Sequence, residues 1–259
     1  KLEERHSDRS IIPDDPAMAF LSNLIEDLGD EWVTKMMFHY RWDLEIDQMY
    51  SSRQIISDNS PRLRGDDLKQ AAEAIRQRQV ERMPLVGCTK QNKPIIESSF
   101  HELLAILDTF ATRDEFIFGT RPSLADFGLF GQLKTLASDH TSMLIMRNTV
   151  PSVYDWVRRL EDSSGIEGEW HDFADMRPAV SELLKFSARY YLPFLKANAN
   201  AHAEGADTMT VDLAGRIYEQ PTFKYQVKCY DRLRKLLQNE QVDALRDLLA
   251  QTGCLQFLE

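Results

Sequence analysis

Phe118-Gly119-Thr120-Arg121-Pro122-Ser123-Leu124-Ala125-Asp126-Phe127 is the stretch on which the fold reading turns. Ser123 and Asp126 have the spacing of a helix capping box. The hydroxyl of Ser123 can accept the N–H of Asp126, and the Asp126 carboxylate can reach back to the N–H of Ser123. Both residues are therefore read as a structural cap, and Asp126 is not taken for a catalytic acid. The helix they open, Phe127 to about Leu136, is nearly free of charge. A helix without a polar face is covered on several sides, and Gly128 and Gly131 are read as points of close approach to its neighbours.

Working outward toward the N-terminus, a third helix holds Phe100, Leu103, Leu104, Ile106, Leu107 and Phe110. A second runs from Asp66 or Asp67, read as its cap, to about Met83. It turns Leu68, Ala71, Ala72, Ile75 and Val80 inward, and Arg76, Arg78 and Arg82 toward solvent. Asn59-Ser60-Pro61 marks the loop before it. The first helix starts at Asp14-Asp15-Pro16, an acidic cap followed by a first-turn proline, and its helical pattern runs to about Met49. Leu21, Leu24, Ile25, Leu28, Trp32, Met36, Trp42 and Ile46 form one stripe at the helical period. Val33, Met37, Tyr40 and Leu44 form a second strip beside it. Such a helix is central, or it lies at a subunit interface.

Toward the C-terminus, a helix follows Pro151 with Val153, Trp156, Val157 and Leu160 inward. Ser163 to Gly168 reads as a boundary. Beyond it, Ala179 to Asn198 is helical, with Pro193 expected to kink or end the helix, and Asn198 to Asp207 reads as a polar loop. Thr208 to Gln220 alternates around Ala214-Gly215 as a short hairpin. Two helices, about Phe223–Gln238 and Glu240–Gln251, close the chain, with Gly253 placed as a C-cap glycine. The expected fold class is mainly α: a helical bundle with a helical C-terminal extension and one short β-hairpin.

Composition narrows the function classes. The chain has 259 residues, 28% of them charged, and a formal net charge of −10. An acidic surface argues against sequence-independent nucleic-acid binding, which needs clustered Lys and Arg. No apolar run has the length of a transmembrane helix. Lys1 to His6 has neither an initiator Met nor the apolar core of a signal peptide, so the chain is expected to come from a longer one. Cys88, Cys229 and Cys254 are odd in number and far apart, which fits a reducing compartment, the cytoplasm or an organelle matrix. Cys88, with only Lys90 as a close cation in sequence, reads as an ordinary thiol. His140 and His171 stand alone, and no metal site is expected.

Several segments resemble one family. The Phe118–Phe127 stretch is similar to the capping box that opens the buried central helix of cytosolic glutathione transferases. Leu2-Glu3-Glu4-Arg5-His6, followed by Ile12-Pro13-Asp14-Asp15-Pro16, resembles the end of that family's thioredoxin-like domain and the linker into its helical domain. Val150-Pro151-Ser152-Val153-Tyr154-Asp155-Trp156 resembles a later helix of the same domain. The resemblance covers roughly residues 1–162 and implies a glutathione-transferase C-terminal-like bundle. It divides the chain into a linker at 1–15, a helical domain at 16–165 and an extension at 166–259 packed on the bundle, the last as in some longer bacterial relatives.

What the resemblance implies about function follows from which half is present. Glutathione, the co-substrate, binds mainly to the thioredoxin-like half, which also carries the residue that activates the thiol. No catalytic residue can be carried onto this chain, and alone it is not expected to conjugate glutathione. The family's first helix lines the cleft for the electrophilic substrate, which brings forward Met37, Tyr40 as a hydrogen-bond donor and Arg41 as an anion attractor. Read from the residues alone, His39 is a core histidine, Trp42 a core aromatic, and Arg41 pairs with Glu45 at i+4. The implied activity is conjugation of the glutathione thiolate to a small apolar electrophile by a homodimer. The other reading is a non-catalytic structural or interaction module.

Overall fold

A computed structural model describes residues 2–5, 9–113, 115–240 and 242–259. His6, quoted for the linker, and position 241, inside the expected last helix, lie outside the described residues. The chain is mainly helical. Its elements are α1 (Leu2–Arg5), α2 (Pro16–Leu28), a π-helical segment (Gly29–Val33), α3 (Thr34–Trp42), α4 (Glu45–Asn59), α5 (Gly65–Arg82), a 3-10 turn (Met83–Val86), α6 (Lys93–Ala111), α7 (Leu124–Leu136), α8 (His140–Thr149) and α9 (Pro151–Leu160). There follow α10 (Phe173–Phe186), a second π-helical segment (Ser187–Tyr191), α11 (Leu192–Ala203), β1 (Thr208–Leu213), β2 (Arg216–Pro221), α12 (Lys224–Asn239), α13 (Asp243–Gln251) and α14 (Leu255–Leu258).

Asp15 caps α2, its Oδ1 accepting the Met18 N–H at 2.9 Å. The helical path then differs from an unbroken run to Met49. It passes through the π segment, ends at Trp42, and resumes as α4 after Leu44, whose backbone is extended (φ −100°, ψ 137°). Gln48 Nε2 donates to the Trp42 carbonyl at 2.7 Å, satisfying one of the orphan acceptors at the end of α3. The apolar stripe breaks with the helix: Trp42 is buried, whereas Leu44 and Ile46 are exposed.

α2 and the first π segment cross α7 at close range. A Cβ on Gly128 would stand 2.7 Å from Glu26 Cα, and one on Gly29 would stand 2.7 Å from the Gly128 carbonyl carbon. Backbone meets backbone here, so neither position tolerates a side chain without movement. A Cβ on Gly131, read from sequence as a second such point, would meet nothing within 4 Å, because Gly131 faces away from the crossing. The box at the start of α7 is formed as expected. Asp126 Oδ2 accepts from Ser123 N at 2.8 Å and Ser123 Oγ at 2.6 Å, and Oδ1 accepts the Ile117 N–H at 3.0 Å. Burial pushes the Asp126 carboxyl up to about 6, against the pull of those bonds.

Asp66 and Asp67 lie in the first turn of α5, but Arg64 holds the N-cap position and no side chain caps it. The helix packs on α4 beside the bundle. Beyond Gly165, α10 packs on α6 and α2, and α12 packs on α2. One hydrophobic cluster runs through both halves of the chain. Trp32 joins them: its Nε1 donates to Ser99 Oγ at 3.3 Å, and its ring meets those of Tyr190, Phe194 and Tyr218 at 5.6–6.0 Å. Pro193 sits in the first turn of α11, just after the second π segment. The expected polar loop from Asn198 is instead helix to Ala203, and the buried Asn198 side chain holds both the N–H and the carbonyl of Phe223. The hairpin pairs Thr208 with Pro221 through to Leu213 with Arg216 around Ala214-Gly215, both at positive φ. Gly253, at φ +79°, closes α13 with Gly253 N to Ala250 O and Cys254 N to Leu249 O, the paired bonds of a Schellman ending.

Candidate functional site

The helix α3 carries the expected site residues but does not bring them together. Tyr40 lines a cleft of about 310 Å³ with His39, Asp43, Leu44, Glu97, His101, Thr141 and Ile145. Its ring is buried 4.8 Å from Phe100, and burial, helped by the charge of Glu97, pushes its phenol above the ordinary tyrosine range. Such a phenol stays protonated and can donate. Met37 is half-buried against the core. Arg41 points elsewhere, toward α4 and α8, with Nε 3.3 Å from Asp139 Oδ2 and Nη2 3.4 Å from Gln54 Oε1. The expected Arg41–Glu45 pair is absent because α3 stops at Trp42, which breaks the i+4 register. His39 is buried as expected, with Nε2 3.2 Å from Glu97 Oε1.

Arg41 and Asp139 form a buried ion pair whose closest atoms, Nε and Oδ2, are not hydrogen-bonded to each other. The Asp139 carboxylate is fully buried and also accepts Ser51 Oγ at 3.1 Å. Burial raises it to about 6, and the Arg41 guanidinium opposes that rise. Asp47, buried beside it, accepts Thr141 N at 2.9 Å and Thr141 Oγ1 at 2.5 Å, tying α4 to the start of α8. A groove of about 350 Å³ between α4 and α5 is lined by Met49, Leu68, Ala72 and Arg76 among others. Of its three cations, Arg53, Lys69 and Arg76, two are already committed: Arg76 pairs with Glu73 at 2.7 Å and donates to Gln48, and Lys69 pairs with Asp66 at 3.0 Å.

One residue that sequence reasoning passed over is the strongest chemical feature. Lys35, only 2% exposed, lines a cleft of about 190 Å³ between the first π segment, the 3-10 turn, β2 and the start of α12. Its Nζ donates to Gln220 Oε1 at 2.8 Å and to the Val86 carbonyl at 3.2 Å, and lies 4.6 Å from the Phe194 ring centre. Among the described residues it makes no ion pair. Burial lowers it to about 8, with the charges of Cys88 and Glu31 opposing the shift. Gln220 Oε1 also accepts the Tyr218 hydroxyl at 3.0 Å, and Gln220 Nε2 donates to Gln226 Oε1 at 3.1 Å.

Local structure explains the placement. Lys35 follows Trp32 by three residues and precedes His39 by four, so it falls on the buried face of the helix. Gly87 lets the 3-10 turn close over it: at φ +80° it ends that turn, and a Cβ there would stand 2.0 Å from the Tyr218 hydroxyl oxygen. The rim is apolar and open, with Leu85, Phe223 and Tyr225 each about half exposed. Asp30 and Glu31 complete the lining, and burial raises both carboxyls. A strongly perturbed titratable group at the floor of a cleft is a recognised mark of a functional site.

The cysteines are not activated. Cys88 donates Sγ to the Lys35 carbonyl at 3.4 Å, and burial pushes its thiol up to about 12. Cys254 is buried and likewise raised to about 12, and Cys229 is raised by burial and by Asp27. No cluster of metal-ligating side chains occurs among the described residues, and none of the described helices is long and apolar enough to cross a membrane. Comparison with known protein families, characterised proteins and solved structures finds no match to this chain.

Proposed function

We propose that this chain is the helical half of a glutathione-transferase-like protein and supplies the cleft for an apolar electrophile. The observation that carries the reading is the Ser123–Asp126 box, which opens α7 where Gly128 lets it cross the first π segment. That crossing holds the helix from which Lys35 and Tyr40 project into their clefts. Glutathione is the co-substrate. None of the three cysteines here carries a lowered thiol pKa, and in this reading activation of the glutathione thiol falls to a thioredoxin-like half.

The test uses the native-length protein, assayed for retention on immobilised glutathione and for conjugation of a generic aryl halide. Absence of both retention and conjugation would sink the transferase reading and leave the non-catalytic module. This chain alone is expected to give no conjugation.

A homodimer belongs to the same proposal. Ile46, Met49 and Tyr50 are exposed at i, i+3 and i+4 on α4, a stripe suited to a second copy. Sedimentation of Met49→Asp against the unaltered protein tests this: a shift from dimer to monomer supports it, and an unaltered protein that sediments as a monomer overturns it.

A further inference from the structure

We infer that Lys35 is a carbonyl-reactive amine, and that its cleft admits a small apolar aldehyde that condenses reversibly with Nζ to an imine. This goes beyond the transferase reading, because it needs neither a thiol nor glutathione. Nζ has two protein acceptors, Gln220 Oε1 and the Val86 carbonyl. Those two bonds use both N–H groups of a neutral amine and leave its lone pair free, whereas an ammonium would bring a third N–H with only the Phe194 face beside it. Burial without a direct ion pair shifts a cation toward its neutral form, and Lys35 is lowered to about 8, so that at pH 7 about a tenth of it is the reactive neutral amine.

The step balances without any further reagent. The Nζ lone pair attacks the carbonyl carbon, the C–N bond forms, and the carbonyl π electrons move onto oxygen. Both amine protons end on that oxygen, which leaves as water while the C=N bond forms. Glu31 and Cys88 act on Nζ through charge, Asp30 and Tyr225 line the same cleft, and Tyr218 from β2 shares the Gln220 acceptor. Glu31, raised by burial, is placed to relay protons. The acidic pair also selects the ligand: it repels an anionic carbonyl such as a 2-oxo acid and accepts a neutral aldehyde, whose apolar tail meets Leu85, Phe223 and Tyr225.

The chain is incubated at pH 7 with benzaldehyde and sodium cyanoborohydride, and peptide mapping locates the benzylated lysines. Lys35 is expected to react about tenfold or more faster than the exposed Lys69, since far more of it is neutral amine. 4-Carboxybenzaldehyde, an anionic aldehyde, should label Lys35, relative to Lys69, about tenfold more slowly than benzaldehyde does. Tyr225→Ala, at an exposed position, should slow labelling at Lys35 and leave Lys69 unchanged. Because the decisive map is of the unaltered chain, it does not depend on any variant folding. Labelling of Lys35 no faster than Lys69, or a Lys35-to-Lys69 ratio with 4-carboxybenzaldehyde equal to that with benzaldehyde, overturns the inference.

Discussion

Lys35 and Arg41 sit six residues apart on α3, and the fold treats these two cations in opposite ways. Arg41 is matched to the fully buried Asp139 and held by Gln54. Lys35 is more deeply buried, yet it is given only neutral acceptors and an aromatic face. The ion pair ties α3 to α4 and α8, and its carboxyl, raised only to about 6, is largely ionised at neutral pH. A buried amine without a direct ion pair carries a desolvation cost that nearby Glu31 only partly offsets, and that cost brings its titration toward neutrality. The first is a joint between α3, α4 and α8, and the second is a reactive group held ready.

The largest effect is expected from breaking the joint. Asp139→Ala leaves the Arg41 guanidinium unpaired and removes the acceptor for Ser51, so it should cost about 3–5 kcal/mol by urea unfolding. Replacing both partners together, Arg41→Met with Asp139→Leu, should recover most of that loss. A cost below about 1 kcal/mol for Asp139→Ala would show that Arg41 does not depend on it.

The next prediction concerns pH. Lys35 is lowered in the folded chain, so between about 8 and its ordinary value of 10.5 the unfolded chain binds the extra proton, and stability rises with pH across that window. Tyr191, Tyr218 and Cys88 are raised in the folded chain and work against it at the alkaline end. The contribution is therefore read as a difference. Unaltered chain minus Lys35→Met should gain about 2–3 kcal/mol in relative stability between pH 8 and pH 10. A flat difference would mean that Lys35 titrates as an ordinary lysine.

A third prediction tests the crossing that positions both cations. Gly128→Ala should cost about 1–3 kcal/mol by overpacking against Glu26. Gly131→Ala, on the same helix but facing open space, should gain about 0.5–1 kcal/mol from helix propensity. These two glycines also show how far the sequence could be read. Both stand in the same charge-poor run, and only the neighbour across the crossing tells them apart. The Ser123–Asp126 box and the Ala214-Gly215 turn were legible because each is settled within a few residues. The break after Trp42 was not, since Leu44 and Ile46 continue the apolar period and the helix ends on the Gln48 side chain folding back. Lys35 was missed because its acceptors lie 51 and 185 residues away. The available signal was its register, between Trp32 and His39 on the buried face.

The smallest effect on stability is expected at the rim, and there the comparison is sharpest. If the Lys35 cleft were merely an imperfect seam in the core, the side chains around it would be supported by packing, and removing one would destabilise the fold. Tyr225 is 59% exposed and Leu85 51% exposed, so little apolar surface is lost from the interior when either is cut back. Tyr225→Ala and Leu85→Ser should each change unfolding free energy by less than about 0.5 kcal/mol. The rim residues around Arg41 and Asp139 are buried instead, and Ser51→Ala should cost about 1 kcal/mol for the hydrogen bond it removes. Large half-exposed aromatic and aliphatic groups that can be removed without loss of stability do not belong to the core of the fold. A cost above about 1.5 kcal/mol at Tyr225 or Leu85 would instead make them part of the packing and make Lys35 a buried joint like Arg41.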